Sequence, residues 1–425
     1  MIQNLNNNVR KVKPSATLVI NELSAQLKRE GREIYSLGFG QSPFPVPESI
    51  VKSLQENAFQ KDYLPVKGLL QLRMAVAQFF NKQYELSVSE EDILIGPGSK
   101  ELIYNFQLVY NIEELLLPSP SWVSYEPQAS LLGNKVKWIT TNELNSWKIS
   151  SDDIEEICKN SPKINRTIIL NYPSNPLGVT YSSGELQKLT NVFKKYNITV
   201  IADEIYGEIH HDGDHQTIAK YYPERTIVSS GLSKWAGAGG WRLGVFVFPE
   251  NMRYVLDAMG TVASETYTTT SAPIQYAAVT AYNGDESINL YLKNVRSILK
   301  TVGQFVYKKL MGIGVTMPEP EGGFYLFPNF NNWKVALNKR RINSSKEFCN
   351  QLLKDTGVAL LPGEDFGHPS NNLTARLSFV DFDGGHLLNI IKDNDSLHLN
   401  DEFVELHCPK ISESIVKIKN WLESY

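Results

Sequence analysis

Short apolar runs alternate with segments of helical periodicity through the middle of this chain. The segment from about Ser15 to Glu30 has the spacing of an amphipathic helix. Ser182 and Glu185 have the spacing of a capping box, and the helix that they open carries apolar residues on one side. Apolar or β-branched runs predict buried strands at 93–95, 167–170, 198–202, 226–229 and 243–248. Since this alternation implies crossover connections, we predict an α/β fold with a mostly parallel sheet, of the seven-stranded type, sandwiched by helices.

The pattern of predicted strands and helices is different at the two ends of the chain. After about residue 320 the pattern changes to short strands and helices, as around residues 375–379. We therefore predict a large domain at 51–315 and a smaller α+β domain built from both chain ends. Residues 1–50 would hold an N-terminal arm and part of the smaller domain, and residues 316–425 would complete it.

The composition narrows the class of protein. The chain has 425 residues, 42% of them hydrophobic, and a formal net charge of -4, so it offers no basic field for nucleic acid or an anionic membrane. Cys158, Cys349 and Cys408 have neither zinc spacing nor a disulfide framework. No apolar run approaches the roughly 20 residues of a membrane span, and the first residues lack the apolar core of a secretory signal. We expect a soluble cytoplasmic protein that binds neither nucleic acid nor membrane.

One lysine stands among small residues in the stretch SGLSKWAGAGGWRLG at 230–244. Glycine lets another group approach the backbone closely, and Lys234 follows a predicted strand, where ligands bind in open α/β sheets. A lysine amine becomes a nucleophile or a Schiff-base partner when its surroundings lower its pKa. A solvated surface lysine is the alternative. Arg242, eight positions later, suits a phosphate, which a guanidinium grips with two parallel hydrogen bonds.

Four further polar side chains occupy positions that suit a ligand. Ser99 opens a predicted helix, whose free amides attract phosphate, although a plain helix cap is equally compatible with a serine there. Asp203 ends a buried strand and can pair with a protonated ring nitrogen or cap the next segment. Asn175 lies in a proline-flanked turn, where a structural asparagine is the alternative. Arg376 falls in a predicted strand and, if buried, needs an internal carboxylate or a substrate carboxylate.

These residues lie in sequence blocks that resemble one family. The chain resembles the class I/II aminotransferases, which are fold-type I enzymes that use pyridoxal 5'-phosphate. Their pattern Ser-x-Ser-Lys … Gly-Trp-Arg-x-Gly matches GLSK at 231–234 and GWRLG at 240–244. Other family blocks occur in the family's order, namely GFGQSPFPVP (38–47), YLPVKGLLQLR (63–73), NYPSNPLG (171–178), ADEIY (202–206), EGGFYLF (321–327) and ARLSF (375–379). The resemblance covers about residues 35–380 and implies transfer of an amino group between an L-amino acid and a 2-oxo acid.

The resemblance also implies how the cofactor is held. Lys234 would carry it as a Schiff base and later move the proton of the substrate's α-carbon. Asp203 would pair with the ring nitrogen, which keeps the ring an electron sink. The remaining ring contacts would come from Asn175 and Tyr206, on the phenolic oxygen, and from Trp122, stacked on the ring. The phosphate would be held by Ser99, Lys100 (through its amide), Ser233, Arg242 and, from the neighbouring subunit of a homodimer, Tyr63.

The substrate side of the site is less defined. By the same resemblance, Arg376 and the backbone at Gly40, aided by Asn175, would grip the α-carboxylate. Trp122, Tyr125 and Phe366 are candidates for an aromatic-friendly pocket. A dicarboxylate substrate would need a further cationic residue, and the sequence does not identify one. The choice among aspartate, aromatic, methionine and other donors therefore stays open.

Two features depart from the family pattern. Gly231 stands where the family often has serine, so one phosphate hydroxyl is missing, and Ser230 is a candidate to replace it. The stretch 381–409 is longer than the usual link to the last helix, and its role is open between a specificity element and surface decoration.

Other functions remain as alternatives. The same anchors serve other reactions with this cofactor, such as β-elimination by a carbon–sulfur lyase, and the fold also occurs in non-catalytic sensors. A nucleotide-binding dehydrogenase is disfavoured because GAGG at 237–240 lacks the setting of a dinucleotide fingerprint. His210, His211 and His215 lie in HHDGDH, which has the character of a polar surface turn, and we expect no metal there.

Overall fold

The computed structural model describes residues 4–12, 16–392 and 398–424. Seven strands form one sheet in the order β1-β7-β6-β5-β4-β2-β3, in which β7 runs antiparallel to both neighbours and the other pairs are parallel. The strands are β1 (Ile93–Gly96), β2 (Glu114–Ser119), β3 (Val136–Thr140), β4 (Arg166–Asn171), β5 (Thr199–Asp203), β6 (Thr226–Gly231) and β7 (Gly244–Val247). The predicted α/β class and mostly parallel sheet are confirmed.

Sixteen α-helices lie in the described ranges. They are α1 (Asn7–Lys11), α2 (Ala16–Arg29), α3 (Glu48–Glu56), α4 (Leu70–Tyr84), α5 (Ser99–Val109), α6 (Tyr125–Leu132), α7 (Ser151–Cys158), α8 (Ser183–Tyr196), α9 (Arg253–Glu265), α10 (Ala272–Asn283), α11 (Glu286–Met311), α12 (Lys334–Lys339), α13 (Ser345–Thr356), α14 (Gly384–Lys392), α15 (Asp401–His407) and α16 (Pro409–Glu423). The first predicted helix is α2, and Ser15, its expected start, lies outside the described residues. None of these helices is long and apolar enough to cross a membrane.

Successive side chains of the central strands point to opposite faces of the sheet, and both faces are buried. In β5, Ile201 packs into a core with residues of α5 and α9, while Val200 and Ala202 pack into a second core with residues of α8. Helix α8 begins with the predicted capping box, in which Ser182 and Glu185 each bond the other's backbone amide. Strands with two covered faces read as continuous apolar runs, which is why the sequence revealed β5 so clearly.

The C-terminal part of the chain contains a second, three-stranded antiparallel sheet. It is formed by β8 (Tyr325–Leu326), β9 (Leu361–Pro362) and β10 (Ala375–Ser378), in the order β8-β10-β9. The N-terminal segment joins it, because the Ser378 amide donates to the Leu37 carbonyl over 2.7 Å and Tyr35 forms a parallel bridge with Val358. The expected domain boundaries near residues 50 and 315 stay a prediction.

Candidate active site

A cavity of about 420 Å³ lies where β4 and β5 end. Polar groups at the carboxyl ends of parallel strands commonly bind ligands. Ten of the twelve residues singled out in the sequence line it, namely Gly40, Ser99, Lys100, Trp122, Asn175, Asp203, Tyr206, Ser233, Lys234 and Arg242. Arg376 reaches the cavity indirectly through Asn175, and Tyr63 does not line it. The fold therefore gathers side chains from segments up to about 200 residues apart.

Lys234 is held by the backbone of the loop around Gly40. Its Nζ donates to the Gly40 carbonyl over 3.0 Å. The same nitrogen lies 5.4 Å from the ring centre of Tyr206 and 5.6 Å from that of Phe324. These contacts hold the amine inside the cavity beside two aromatic rings, which attract it as a cation and limit its movement.

Asp203 is the buried acid of the cavity. It is 3% exposed, and its carboxylate accepts hydrogen bonds from Tyr125 at 2.5 Å and from Ser229 at 3.2 Å. Burial raises the pKa of Asp203 to about 6, against the opposing effect of these bonds and of the Lys234 charge. Since its hydrogen bonds come from neutral groups, this carboxylate is suited to a cationic partner from a ligand.

The start of helix α5 and Arg242 form one corner of the cavity. The amides of Ser99 and Lys100 are in the first turn of α5, where a helix offers no acceptor for them. The Arg242 guanidinium donates to the Pro97 carbonyl over 3.2 Å and to the Gly239 carbonyl over 2.8 Å. Gly98 has a φ of +99°, and a Cβ there would lie 2.0 Å from the Arg242 Nη2. A glycine is thus required, and the corner combines free amides with a guanidinium.

Lys100 and Trp122 lie together at the wall of the cavity. The Lys100 Nζ is 4.9 Å from the centre of the Trp122 ring. Desolvation, followed by the positive charges of Arg242 and Lys234, lowers the pKa of Lys100. An anion placed between these three cations would relieve their repulsion.

Arg376 is fully enclosed without a carboxylate among its hydrogen-bond partners. It is 3% exposed and donates to the Asn175 side-chain oxygen at 3.2 Å and to the Gly38 carbonyl at 2.7 Å, both neutral. Its Nε has no partner in the described part of the chain. Burial lowers the pKa of Arg376. Of the two partners that the sequence left open, the internal carboxylate is therefore wrong for the described residues.

Two tyrosines contribute to the site in ways that the sequence did not reveal. Tyr125 was considered only as an aromatic wall, yet its hydroxyl bonds Asp203. The Tyr325 hydroxyl lies 3.0 Å from the Tyr206 hydroxyl, and its ring lies 4.8 Å from the Arg376 guanidinium carbon. Tyr325 lies in the block EGGFYLF and Tyr125 lies three residues after Trp122, but their hydroxyl contacts join residues 119 and 78 positions apart, which local patterns do not report.

The structure also places four other residues that the sequence analysis named. Phe366 is completely buried beneath Arg376, 5.3 Å from it, and does not line the cavity. Tyr63 is 87% exposed. A Cβ at Gly231 would lie 2.6 Å from the Leu243 carbonyl oxygen, so a serine fits there only if β6 and β7 move apart. Ser230 is not among the described residues that line the cavity, and its part in holding a phosphate stays a prediction.

The polar surface turn expected at HHDGDH is confirmed for its two exposed aspartates, Asp212 and Asp214, and wrong for its histidines. His210, His211 and His215 are all buried. The His215 Nε2 lies 3.0 Å from a Glu204 carboxylate oxygen, and the His211 ring nitrogens lie 3.1 and 3.2 Å from backbone carbonyls of Gly323 and Pro320. Burial lowers the pKa of His211 to about 4. The described residues contain no group of three side chains that could hold a metal ion.

Comparison with known proteins decides the family. The model of the family "Aminotransferase class I and II" matches residues 32–381. The chain belongs to this family. It is 32% identical to the aspartate aminotransferase of Bacillus sp. (strain YM-2), over 88% of this chain and 94% of that protein. It is 33% identical to the asparagine–oxo-acid transaminase of Streptococcus mutans, over 88% of this chain and 94% of that one.

Solved structures of aminotransferases have the same fold. The structure of the aspartate aminotransferase from Thermus thermophilus with maleate superposes with a TM-score of 0.84 at 24% identity, covering 98% of this chain and 99% of that one. From the family match and the relatives at 32% and 33% identity, this aminotransferase transfers an amino group between an amino acid and a 2-oxo acid, and its cofactor is pyridoxal 5'-phosphate.

The described residues fit this cofactor. The buried Asp203 lacks a hydrogen-bonded cation, which matches a protonated ring nitrogen. The corner of Ser99 and Arg242 provides amides and a guanidinium for a phosphate. Lys234 lies in the same cavity as both, so one molecule can meet all three groups.

Proposed function

We propose that this aminotransferase takes a dicarboxylic amino acid such as aspartate as its donor. Lys100, Lys234 and Arg242 line the cavity together with one ionisable acid, Asp203. Arg242 would hold the cofactor's phosphate, and Arg376 would receive the α-carboxylate of the substrate. Lys100 is then left to face a second carboxylate. The names of the relatives, among them two that act on aspartate or asparagine, support this choice.

In the proposed site, each residue has one task. When bound, the cofactor supplies an electron sink for the negative charge that develops at the substrate's α-carbon. Asp203 would keep the ring nitrogen protonated, while Asn175 and Tyr206 would hold the phenolic oxygen and Trp122 would lie against the ring. The phosphate would be held by Ser99, the Lys100 amide, Ser233 and Arg242.

Lys234 carries the proton in this mechanism. Its Nζ would hold the cofactor, and the free amine would accept the proton from the substrate's α-carbon. The Gly40 carbonyl, 3.0 Å from Nζ, keeps the amine close to the loop on which the α-carboxylate lies. Arg376, with Gly40 and Asn175, fixes that carboxylate and so orients the carbon–hydrogen bond toward Nζ.

The enzyme would act as a homodimer in the cytoplasm. Tyr63 is 87% exposed on the single chain, and Phe59, Leu70 and Met74 nearby in sequence are exposed as well. Contiguous exposed apolar patches commonly mark an interface, and we infer that these side chains form part of one. Tyr63 would reach the phosphate of the neighbouring subunit. A reducing compartment agrees with the three free, buried cysteines.

A screen of amino donors tests the proposed function. Each amino acid is mixed with the loaded enzyme, and the visible absorbance of the bound cofactor and the transfer to 2-oxoglutarate are followed. We expect aspartate to be among the best donors, and Lys100→Met to raise the KM for aspartate far more than that for alanine. Equal effects on both would contradict the role of Lys100.

The same assay separates the lyase alternative. Release of ammonia and pyruvate from a β-substituted amino acid, without transfer to the oxo acid, would favour β-elimination. Lys234→Ala serves as the control, since it keeps the cavity but lacks the amine, and it should show neither reaction nor a borohydride-stable adduct.

A further inference from the structure

Helix α14 packs against the loop that carries Gly40. This helix lies in the stretch 381–409 that departs from the family pattern, of which 393–397 are outside the described residues. A Cβ at Gly384 would lie 2.6 Å from the Pro43 carbonyl oxygen and 2.7 Å from the Phe44 Cδ1. Real Cβ atoms do not approach other atoms so closely. The start of α14 therefore touches the loop backbone directly, three residues from Gly40.

The same loop also touches the segment that follows Lys234. A Cβ at Gly237 would lie 2.5 Å from the Phe44 carbonyl oxygen. Together with the bond from Lys234 to Gly40, this gives the loop two contacts with residues 234–237, which we call the lysine segment. Phe44 is 4% exposed, so it lies packed between α14 and the lysine segment with little space to move.

Further contacts fasten this arrangement. The Phe382 ring meets the Phe44 ring edge to face at 5.9 Å. The Asp381 carboxylate accepts from the Ser36 amide at 2.7 Å, and the Asp383 carboxylate accepts from the His386 amide at 2.9 Å within the first turn of α14. Asp381 thus binds the chain on the N-terminal side of Gly40, while Phe382 and Gly384 meet the chain on its C-terminal side.

We propose that α14 positions the loop that carries Gly40, Pro43 and Phe44. The absence of a side chain at Gly384 sets the distance of this loop from Lys234. The inference rests on the proposed binding of the α-carboxylate at Gly40. Displacing the loop moves that carboxylate relative to the Lys234 amine. Ser99, at the start of α5, lies on another segment, and Arg242 is fixed by its bonds to the Pro97 and Gly239 carbonyls, so we expect the phosphate corner to stay in place. Substrate binding and turnover should therefore change without a change in cofactor binding.

Two adjacent glycines provide a matched test in the full-length enzyme loaded with pyridoxal 5'-phosphate. A Cβ at Gly385 has its nearest neighbours at 3.4 and 3.8 Å, which leaves room for alanine. We expect Gly384→Ala to lower kcat/KM for the best amino donor by about tenfold or more, mainly through KM, because small displacements from productive geometry have large effects. Gly385→Ala should stay close to the wild type, and all three proteins should bind the cofactor equally.

A second variant covers the case in which Gly384→Ala does not fold. Phe382→Leu removes the ring contact with Phe44 and should raise KM in the same direction by a smaller factor. The proposal is overturned if both variants keep the wild-type KM, if the two glycine substitutions have equal effects, or if the loss follows weaker cofactor binding. A wild-type enzyme that fails to use any dicarboxylic donor would instead contradict the proposed function and leave the effect of α14 measurable with another donor.

Discussion

Tyr125 donates a hydrogen bond of 2.5 Å to the carboxylate of Asp203. Burial raises the pKa of Tyr125 well above its usual value, so the phenol stays protonated and remains a donor. The bond stabilises the ionised form of Asp203, whereas burial of the same carboxylate destabilises it. The state of this acid thus depends on one hydroxyl contributed by the start of α6.

Replacing Tyr125 with phenylalanine removes that donor and keeps the ring. The pKa of Asp203 should rise further, because a hydrogen bond to a charged group contributes about 1.5–3 kcal/mol. If ionised Asp203 is required for turnover, the acidic limb of kcat/KM against pH moves upward by about one unit. Tyr196→Phe, whose hydroxyl bonds Glu155 in the wild type, is the control. An unmoved acidic limb in Tyr125→Phe would contradict this coupling.

Replacing the Asp203 carboxylate with a neutral group should make the cofactor-free protein more stable. Its pKa rises from 3.8 to about 6 on folding, so the folded protein keeps a proton that the unfolded chain releases between these values. Stability is therefore lost as the pH rises through this window, by about 3 kcal/mol in total. Cofactor-free Asp203→Asn should gain free energy of unfolding over the wild type at pH 7.5, and much less at pH 4.

Denaturant unfolding of both proteins at the two pH values measures this difference. Bound cofactor should cancel the gain, because the ring cation pairs with the carboxylate, and transaminase activity of the variant should fall by at least about a hundredfold. A wild type that is the more stable protein at pH 7.5 without cofactor would rule the account out.

The sequence predicted most of the large sheet and most of the cavity. Buried runs such as that of β5 are visible because both faces are covered, and Asp203 and Lys234 follow such runs directly. Strands β2 and β3 were missed. The three consecutive leucines of β2 are equally compatible with a helix, and β3, at the sheet edge, is only partly buried.

Local sequence patterns did not reveal which residues distant along the chain contact each other. HHDGDH was interpreted as surface because its residues are polar, but His215 is matched by the buried Glu204, which the sequence alone does not place beside it. The bond of Tyr125 to Asp203 was missed for the same reason. Arg376 shows the converse, since its position in an apolar strand was sufficient to predict that, once buried, it needs an anionic partner.

Arg376→Lys tests the proposed carboxylate site. Lysine keeps the charge but cannot bond Asn175 and Gly38 and still present a planar pair of donors to a carboxylate. We expect kcat/KM for the amino donor to fall ten- to a hundredfold, chiefly through KM. The corresponding amine, which has no α-carboxylate, should react equally slowly with both proteins. An equal loss for the amine would assign Arg376 to structural support.

Tyr63 offers a test of the dimer that does not depend on a structure of the complex. If its hydroxyl reaches the phosphate of the neighbouring subunit, Tyr63→Ala weakens cofactor binding, while Lys234→Ala abolishes turnover. In a hybrid of the two variants, one site has Lys234 from the first chain and Tyr63 from the second, so it is complete. Refolded mixtures should then be more active at low cofactor concentration than either variant alone. If Tyr63 acts within its own chain, every site of the hybrid keeps a defect, and mixing restores nothing. Sedimentation of the mixture checks that hybrids of dimer mass have formed.

Tyr254→Ala, which alters another exposed tyrosine, is the control. Mixed with Lys234→Ala, it should be no more active than wild-type enzyme diluted to the same extent.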